Sequence, residues 1–288
     1  MVLTGALGVG ALLGGVVGPV DVSEATGGGM AGMEGMEDGA TPTAAGLAAV
    51  EQGYTFVPTA TTLRSGQPFT FTIEGPDGDP VTDYEVELDE ELHLLVVSTD
   101  LVTYHHVHPE RDAQGTWSVE LDGLDPGSYR AVADVVPTDG PDLALGVNLS
   151  VPGELDPSPL PAPGAVDEVD GYEVRLEGEL ESGSSPVRLI VERDGELVDD
   201  LEPYLGASGH LVAFRADDLA YAHVHPEETT PGGGPTVPFI AELPSAGTYR
   251  LFFDFLHDGE VRTAAFTVEV AAYSGGDDAA DDTTTEEH

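Results

Sequence analysis

The sequence predicts an all-β protein made of two tandem immunoglobulin-like antiparallel β-sandwiches joined by a proline-rich linker. Three observations lead to this fold class: many short apolar runs between turns, a high content of turn residues, and an internal repeat. Glycine (37) and proline (22) are frequent, which favours short strands over long helices. The length of 288 residues suits two domains of about 100 residues each.

The internal repeat joins two segments that carry the same polar residues. Residues 93–110 read HLLVVSTDLVTYHHVHPE and residues 210–227 read HLVAFRADDLAYAHVHPE, identical at nine of eighteen positions. Further along, Gly-x-Tyr-Arg at 127–130 and 247–250 is followed in both copies by an aspartate, Asp134 and Asp254. This element is typical of the tyrosine corner of immunoglobulin-like domains. We therefore expect about seven strands in each repeat.

Composition divides the rest of the chain. The apolar residues before position 19 resemble the h-region of a signal peptide and are too short and glycine-rich for a secure membrane span. A basic n-region is missing, so we expect the true start to lie upstream. The predicted segments are a signal-like segment (1–18), a disordered Gly/Met/acid-rich arm (19–51), a first sandwich (52–151), a linker (152–167), a second sandwich (168–272) and a disordered acidic tail (273–288).

The charge balance and the absence of cysteine exclude several functions. The chain has 54 acidic and 9 basic residues, a net charge of −45, and such a surface repels phosphate backbones, which argues against nucleic-acid binding. We interpret the acidity as adaptation to high salt, where charge repulsion is screened. Without cysteine the chain has no disulfides, thiolate zinc sites, iron–sulfur clusters or cysteine-ligated copper.

The first repeat contains a predicted β-hairpin with three histidines. A turn between Thr99 and Asp100 pairs His93 with His106, so that the two side chains lie on one face. His108 follows two residues after His106 and shares that face, because side chains alternate along a strand. Three imidazoles of the hairpin are therefore expected to converge.

The second repeat predicts the same arrangement. A turn between Ala216 and Asp217 pairs His210 with His223, and His225 lies on their face. Imidazole suits Zn, Cu, Ni and Fe, and three histidines leave a position for water or a fourth ligand. The sequence therefore predicts one metal-binding hairpin in each repeat.

Other residues are candidates to complete or orient these ligand sets. His257, present in the second repeat only, is a candidate fourth ligand, whereas His105 points to the other face and is left out. Carboxylates can orient ligand rings; the candidates are Asp100, Glu110, Asp217 and Glu227. The alternative interpretation is that the histidines are structural and fix the hairpin or the contact between repeats.

Three methionines lie close together in the glycine-rich arm, at Met30, Met33 and Met36. Thioethers favour Cu(I), and neighbouring carboxylates do not compete for it. A chance cluster in a low-complexity segment is the alternative. Together with the imidazoles, the methionines indicate copper rather than zinc.

The two histidine segments also carry a resemblance. Residues 93–110 and 210–227 resemble secreted bacterial and archaeal proteins with repeated His-Leu-Val…Asp-Leu…His-x-His-Pro hairpins and a His-Asp-Gly turn, as at 257–259. The resemblance implies copper or heavy-metal handling. In the second domain a further histidine is common in that group where Arg262 stands, and this departure weakens a four-histidine site there.

These observations predict an extracytoplasmic transition-metal-binding protein for copper storage, delivery or detoxification. We expect it to be secreted or at the cell surface, with the apolar segment either cleaved or kept as an anchor. The expected partners are the metal ion and a membrane metal transporter or a cuproenzyme. No nucleophile or acid–base pair stands out, so an enzyme is not expected. The alternatives are a structural cell-surface module and a metalloenzyme with an open three-histidine site.

Overall fold

A computed structural model describes residues 44–222, 224–226 and 234–273. These ranges contain strands and turns without an α-helix, which confirms the all-β prediction. Among them there is accordingly no helix that could span a membrane. The predicted signal segment, the methionines Met30, Met33 and Met36, His223 and nearly all of the acidic tail lie outside the described residues.

The first repeat folds into two antiparallel sheets. Its strands are β1 (Val50–Glu51), β2 (Tyr54–Pro58), β3 (Phe69–Glu74), β4 (His93–Ser98), β5 (Tyr104–Val107), β6 (Glu110–Arg111), β7 (Thr116–Val119), β8 (Gly127–Val135) and β9 (Leu143–Val151). The outer sheet has the order β1-β2-β3-β7-β6 and the inner sheet has the order β5-β4-β8-β9.

The second repeat has the same two-sheet plan. Its strands are β10 (Val166–Val169), β11 (Tyr172–Glu177), β12 (Gly183–Arg193), β13 (Glu196–Leu197), β14 (His210–Arg215), β15 (Tyr221–Ala222), β16 (Val224–Pro226), β17 (Thr236–Leu243), β18 (Gly247–His257) and β19 (Glu260–Val270). The outer sheet is β10-β11-β12-β17-β16, with β13 on β12, and the inner sheet is β15-β14-β18-β19.

Burial distinguishes the outer sheets from the inner ones. In the outer strands β3 and β11 every second residue is buried, as expected when one face meets a core and the other meets solvent. All six residues of the inner strand β4 are buried, because both faces of its sheet are covered. One face packs within its own sandwich and the other packs against the second repeat.

The inner sheets of the two repeats meet in an apolar interface. Its buried members, the inter-repeat cluster, are Leu95, Val97, Leu101, Val132, Val212, Phe214, Leu219, Tyr221 and Phe252. Each sandwich has a separate core of its own. The described part of the chain is therefore a stack of four sheets, with the histidine-bearing strands β4, β5 and β14 in the two middle layers.

Both predicted tyrosine corners are present. The Tyr129 hydroxyl donates to the carbonyl of Asp125 at 2.7 Å, and the Tyr249 hydroxyl donates to the carbonyl of Ser245 at 3.1 Å. Each acceptor lies four residues upstream of its tyrosine, as in immunoglobulin-like sandwiches. These bonds and the stacked antiparallel sheets confirm the predicted fold class.

The predicted register of the first hairpin is wrong by two residues. His106 lies opposite Leu95, not opposite His93. The turn is centred further along because Leu101 adopts a left-handed φ of 60° and its N–H donates to the Ser98 carbonyl at 2.9 Å. A shift of two residues preserves the alternation of faces, so His93 and His106 remain on one face as diagonal neighbours.

The second hairpin differs from the prediction in the same way. Ala213 lies opposite Ala222, whereas the predicted pairing of His210 with His223 would place Ala213 opposite Ala220. Leu219, one position further along the repeat than Leu101, also has a left-handed φ, of 64°. The strand then leaves the inner sheet, because β16 pairs with β17 of the outer sheet.

Candidate metal centre

Three histidines of the first repeat converge at the inter-repeat face of β4 and β5. Ligand-capable atoms of His93, His106 and His108, here called the histidine cluster, all lie within 4.8 Å of one another. Two nitrogens bound to one ion at about 2.0–2.1 Å each are about 3–4 Å apart. Nδ1 of His93 and Nε2 of His106 are 3.1 Å apart, within this range.

The hydrogen bonds at the outer ends of two rings define their tautomers. Nε2 of His93 lies 3.0 Å from the carbonyl oxygen of Glu87, which only accepts, so this nitrogen carries the proton. Nδ1 of His106 lies 3.0 Å from Oδ2 of Asp254 and donates to that carboxylate for the same reason. Nδ1 of His93 and Nε2 of His106 are therefore the lone-pair nitrogens, and they face each other.

Two lone pairs at this distance repel unless a positive species lies between them. Either one ring of the pair takes up an extra proton, or a metal ion binds both nitrogens. The third ring adds another unsatisfied nitrogen, since Nε2 of His108 is buried and has no hydrogen-bond partner among the described residues. Buried polar atoms are rarely left unpaired. The donor set of the histidine cluster thus fits a cation that accepts imidazole nitrogen.

Burial keeps two nearby imidazoles neutral. Desolvation, followed by repulsion from His106, His93 and His210, lowers the pKa of His108 to about 3. Desolvation, followed by repulsion from His106 and His93, lowers the pKa of His210 to about 4. Neutral imidazole is the form that binds a metal, so both rings are ready to act as ligands at neutral pH.

These pKa values predict that acid destabilises the metal-free protein. An unfolded histidine has a pKa of about 6.5, so between pH 6.5 and pH 4 the unfolded chain binds protons that folded His108 and His210 do not. Stability therefore falls as pH falls through this window. We expect a lower melting temperature at about pH 5 than at about pH 7.5. The double variant His108→Asn/His210→Asn should lose part of this dependence, and an unchanged dependence would contradict the assignment.

The second repeat supplies polar groups to the same region. The ring centroid of His210 lies 5.9 Å from that of His93 and 5.6 Å from that of His106. Asp254, only 2% exposed, reaches across the interface to His106. The structure therefore brings one predicted ligand of the second hairpin to the ligands of the first.

A reciprocal pair of contacts surrounds the histidines. The Tyr104 hydroxyl donates to Asp254 of the other repeat at 3.4 Å, and the Tyr221 hydroxyl donates to Asp134 at 2.6 Å. Tyr104 and Tyr221 are equivalent in the repeat, as are the two aspartates. Sequence reasoning did not include these four residues in the site, although their retention in both copies was a signal that could have found them.

A small cavity adjoins the histidines between the inner sheets. Its volume of about 40 Å³ is enough for a water molecule or an ion. Glutamates of the segment before β4 line it beside His93, His106 and His210, namely Glu85, Glu87, Glu90 and Glu91; the Glu91 carboxylate is paired with Arg111 at 3.0 Å. This negative rim favours the approach of cations over anions.

The predicted orienting carboxylates do not fill that role in the described residues. Asp100 lies in the turn, where Oδ1 accepts from the Ser98 hydroxyl and Oδ2 accepts from the Ser158 N–H at 3.0 Å. Glu110 and Asp217 are exposed, and Glu227 lies outside the described residues. The carboxylate that orients a ring is Asp254, which comes from the other repeat.

His257 is the predicted ligand that the structure places away from the histidine cluster. His257 is hydrogen-bonded to the Tyr172 hydroxyl at 2.7 Å and to Asp200 at 3.1 Å. It lies three residues beyond Asp254 on β18, hence on the opposite face of the inner sheet, and is not brought to the other histidines. His223 and the side chain of His225 lie outside the described residues, as do the three arm methionines.

Comparison with known proteins matches the repeats to one family. A family model described as Domain of unknown function (DUF8832) matches residues 48–151 and again residues 167–272. No curated protein matches the sequence.

Similar solved structures are distant. A DUF4426 family protein from Pseudomonas aeruginosa has 12% identity and a TM-score of 0.29, over 37% of this chain and 96% of its own. The chicken CNTN1 FN1-FN3 domains have 9% identity and a TM-score of 0.21, over 74% and 65%. Domains 5-6 of the S-layer protein SbsC have 15% identity and a TM-score of 0.23, over 76% and 98%.

Proposed function

Both repeats of the chain belong to the family described as Domain of unknown function (DUF8832), whose description names no activity. From the geometry of the site we propose that this protein binds a transition metal through His93, His106 and His108. The observation that carries the proposal is the pair of facing lone-pair nitrogens 3.1 Å apart, with the unpartnered Nε2 of His108 beside them. A bound ion satisfies all three nitrogens at once.

Copper is the preferred ion and zinc the alternative. Three imidazoles suit either metal, whereas the thioethers of Met30, Met33 and Met36 in the arm favour Cu(I). The described part of the arm begins at residue 44 and lies beside the cavity, where the Tyr221 N–H donates to the Ala45 carbonyl at 2.9 Å. Tyr221 is itself a cavity residue.

We propose that the protein stores, delivers or detoxifies copper outside the cytoplasm, as a secreted or surface-held protein without catalytic activity. In this role the metal is cargo, and the expected partner is a membrane metal transporter or a cuproenzyme. The acidic chain favours a cationic ligand and disfavours a nucleic acid.

A structural role for the histidines is the competing function. The specific observation in its favour is the position of the rings at the interface between the repeats, next to the Tyr221–Asp134 hydrogen bond. In that case an extra proton on His93 or His106 would occupy the space between the facing nitrogens, and no metal would be required.

Titration of the full chain distinguishes the two functions. We expect saturable binding of Cu(I), measured against a competing chelator, and weaker saturable binding of Zn(II), measured by calorimetry. Binding that does not saturate at micromolar concentrations of either metal would favour the structural role.

The methionine arm has a separate expected effect. Replacing Met30, Met33 and Met36 together by leucine removes the thioethers and keeps the apolar volume. We expect less Cu(I) bound per chain and unchanged Zn(II) binding, because thioether is a soft ligand. Zn(II) binding of the same variant is the internal control, and an unchanged Cu(I) capacity would show that the methionines do not bind copper.

A further inference from the structure

We infer that the metal site is composite: the second repeat completes it, with Asp254 positioning His106 and His210 supplying a fourth nitrogen, so that one ion joins both repeats. This inference rests on the proposed metal binding. The sequence repeat predicts a different arrangement, in which each hairpin has its own independent metal site.

Asp254 is built to hold one ring of the first repeat. Its Oδ2 accepts from Nδ1 of His106 at 3.0 Å and from the Tyr104 hydroxyl at 3.4 Å. Its Oδ1 accepts from the Thr263 hydroxyl, which fixes the carboxylate from the other side. A carboxylate that takes the outer N–H of a ligand histidine sets its tautomer, orients the ring and raises its basicity as a ligand. Asp254 does this for His106 from the other repeat.

The His210 ring lies beside two of the three rings of the histidine cluster. Four imidazoles around one ion, each with a metal–nitrogen distance of about 2.0–2.1 Å, have ring centroids about 5 Å apart. The centroids within the histidine cluster are 5.3, 5.1 and 4.9 Å apart. The His210 centroid lies 5.9 and 5.6 Å from those of His93 and His106, slightly outside this value.

Nε2 of His210, like Nε2 of His93, faces a backbone carbonyl oxygen. Nε2 of His210 lies 3.4 Å from the carbonyl oxygen of Leu205, which only accepts, so Nδ1 is the nitrogen with the lone pair. His210 is paired with Asp254 in the strand register between β14 and β18. The fourth nitrogen and the positioning carboxylate therefore come from neighbouring strands of one sheet.

The site exists only while the inner sheets are packed together. His106 belongs to one sheet, Asp254 and His210 belong to the other, and Tyr104 stacks on Phe252 across the interface with centroids 4.1 Å apart. A ligand that binds only the packed state stabilises that state. The bound ion should thus strengthen the contact between the repeats.

Variants of the full chain test the inference through affinity for Cu(I) and Zn(II). Asp254→Asn is expected to lower affinity by about 10–100-fold, the usual effect of losing such a partner of a ligand histidine, and His210→Asn is expected to lower it at least as much. Asp200→Asn is the matched control, because this exposed carboxylate pairs with His257 at 3.1 Å. His257 lies on the opposite face of the inner sheet, so the same change of carboxylate to amide should leave affinity nearly unchanged there.

A second readout separates positioning from general damage. Nitrogen chemical shifts of the His106 ring report its tautomer in the metal-free protein; Asp254→Asn should shift the population away from the Nδ1–H form, whereas His210→Asn should not. In the wild-type chain, metal should slow hydrogen exchange in β14 and β18 as well as in β4 and β5. This measurement needs no variant to fold.

The outcomes are distinguishable from failure of the proposed function. If the wild-type chain binds neither metal, the proposed function fails, and the inference fails with it. If wild type binds and both variants bind equally well, with exchange slowed only in the first repeat, metal binding stands and the composite site is overturned. The composite site is supported over two independent sites if the histidines bind one ion per chain and if Asp254→Asn and His210→Asn lower the metal affinity as predicted.

Discussion

Replacing His106 by asparagine is expected to weaken copper binding by the histidine cluster more than about 100-fold, while the Cu(I) bound by the methionine arm remains. The substitution removes the nitrogen that faces Nδ1 of His93 at 3.1 Å and the ring that Asp254 holds at 3.0 Å. Loss of a partner of a ligand histidine costs about 10–100-fold in affinity, so loss of the ligand itself should exceed about 100-fold. Competition titration with Cu(I) measures the effect directly.

The neighbouring histidine provides the matched control. His105 lies on the same strand, opposite Val96, and points to the other face of the sheet because side chains alternate. His105→Asn should therefore keep the affinity of the wild-type protein. Equal losses in the two variants would mean that the effect comes from disturbing β5 and not from removing a ligand.

The fold was largely predictable because its signals are local. Alternating burial in β3 and β11 and the two Gly-x-Tyr-Arg elements follow from neighbouring residues in the sequence. The hairpin register was not predictable, because its turns depend on left-handed leucines, Leu101 and Leu219. Leucine rarely adopts that conformation, and sequence reasoning therefore centred both turns too early.

The site was predictable only in part, for a different reason. Recurrence and strand alternation identified His93, His106 and His108, since these residues lie on one hairpin. Asp254 and His210 belong to the same region only because two inner sheets pack face to face, and no local pattern specifies that packing. One signal was present, namely the continuous apolar run in β4, which is typical of a strand buried on both faces.

The second large expected effect concerns the interface that forms the site. Phe252 is 2% exposed, belongs to the inter-repeat cluster and stacks on Tyr104 with ring planes within 4° of parallel. Phe252→Ala should lower the free energy of unfolding by about 3–5 kcal/mol, the usual loss for a buried phenylalanine. Denaturant unfolding of the metal-free protein measures this loss, and the same measurement with copper shows how much the bound ion stabilises each protein.

The adjacent residue shows whether this loss is specific to the interface. Phe253 is also buried but faces the core of the second sandwich, so Phe253→Ala should destabilise the protein by a similar amount. Only Phe252→Ala should also weaken copper binding in the folded protein, because it removes the ring that Tyr104 stacks on, and Tyr104 shares Asp254 with His106. Equal affinities in the two variants would mean that stacking at the interface does not shape the site. A loss confined to Phe252→Ala would identify the packing of the two repeats as the feature that holds the four imidazoles together.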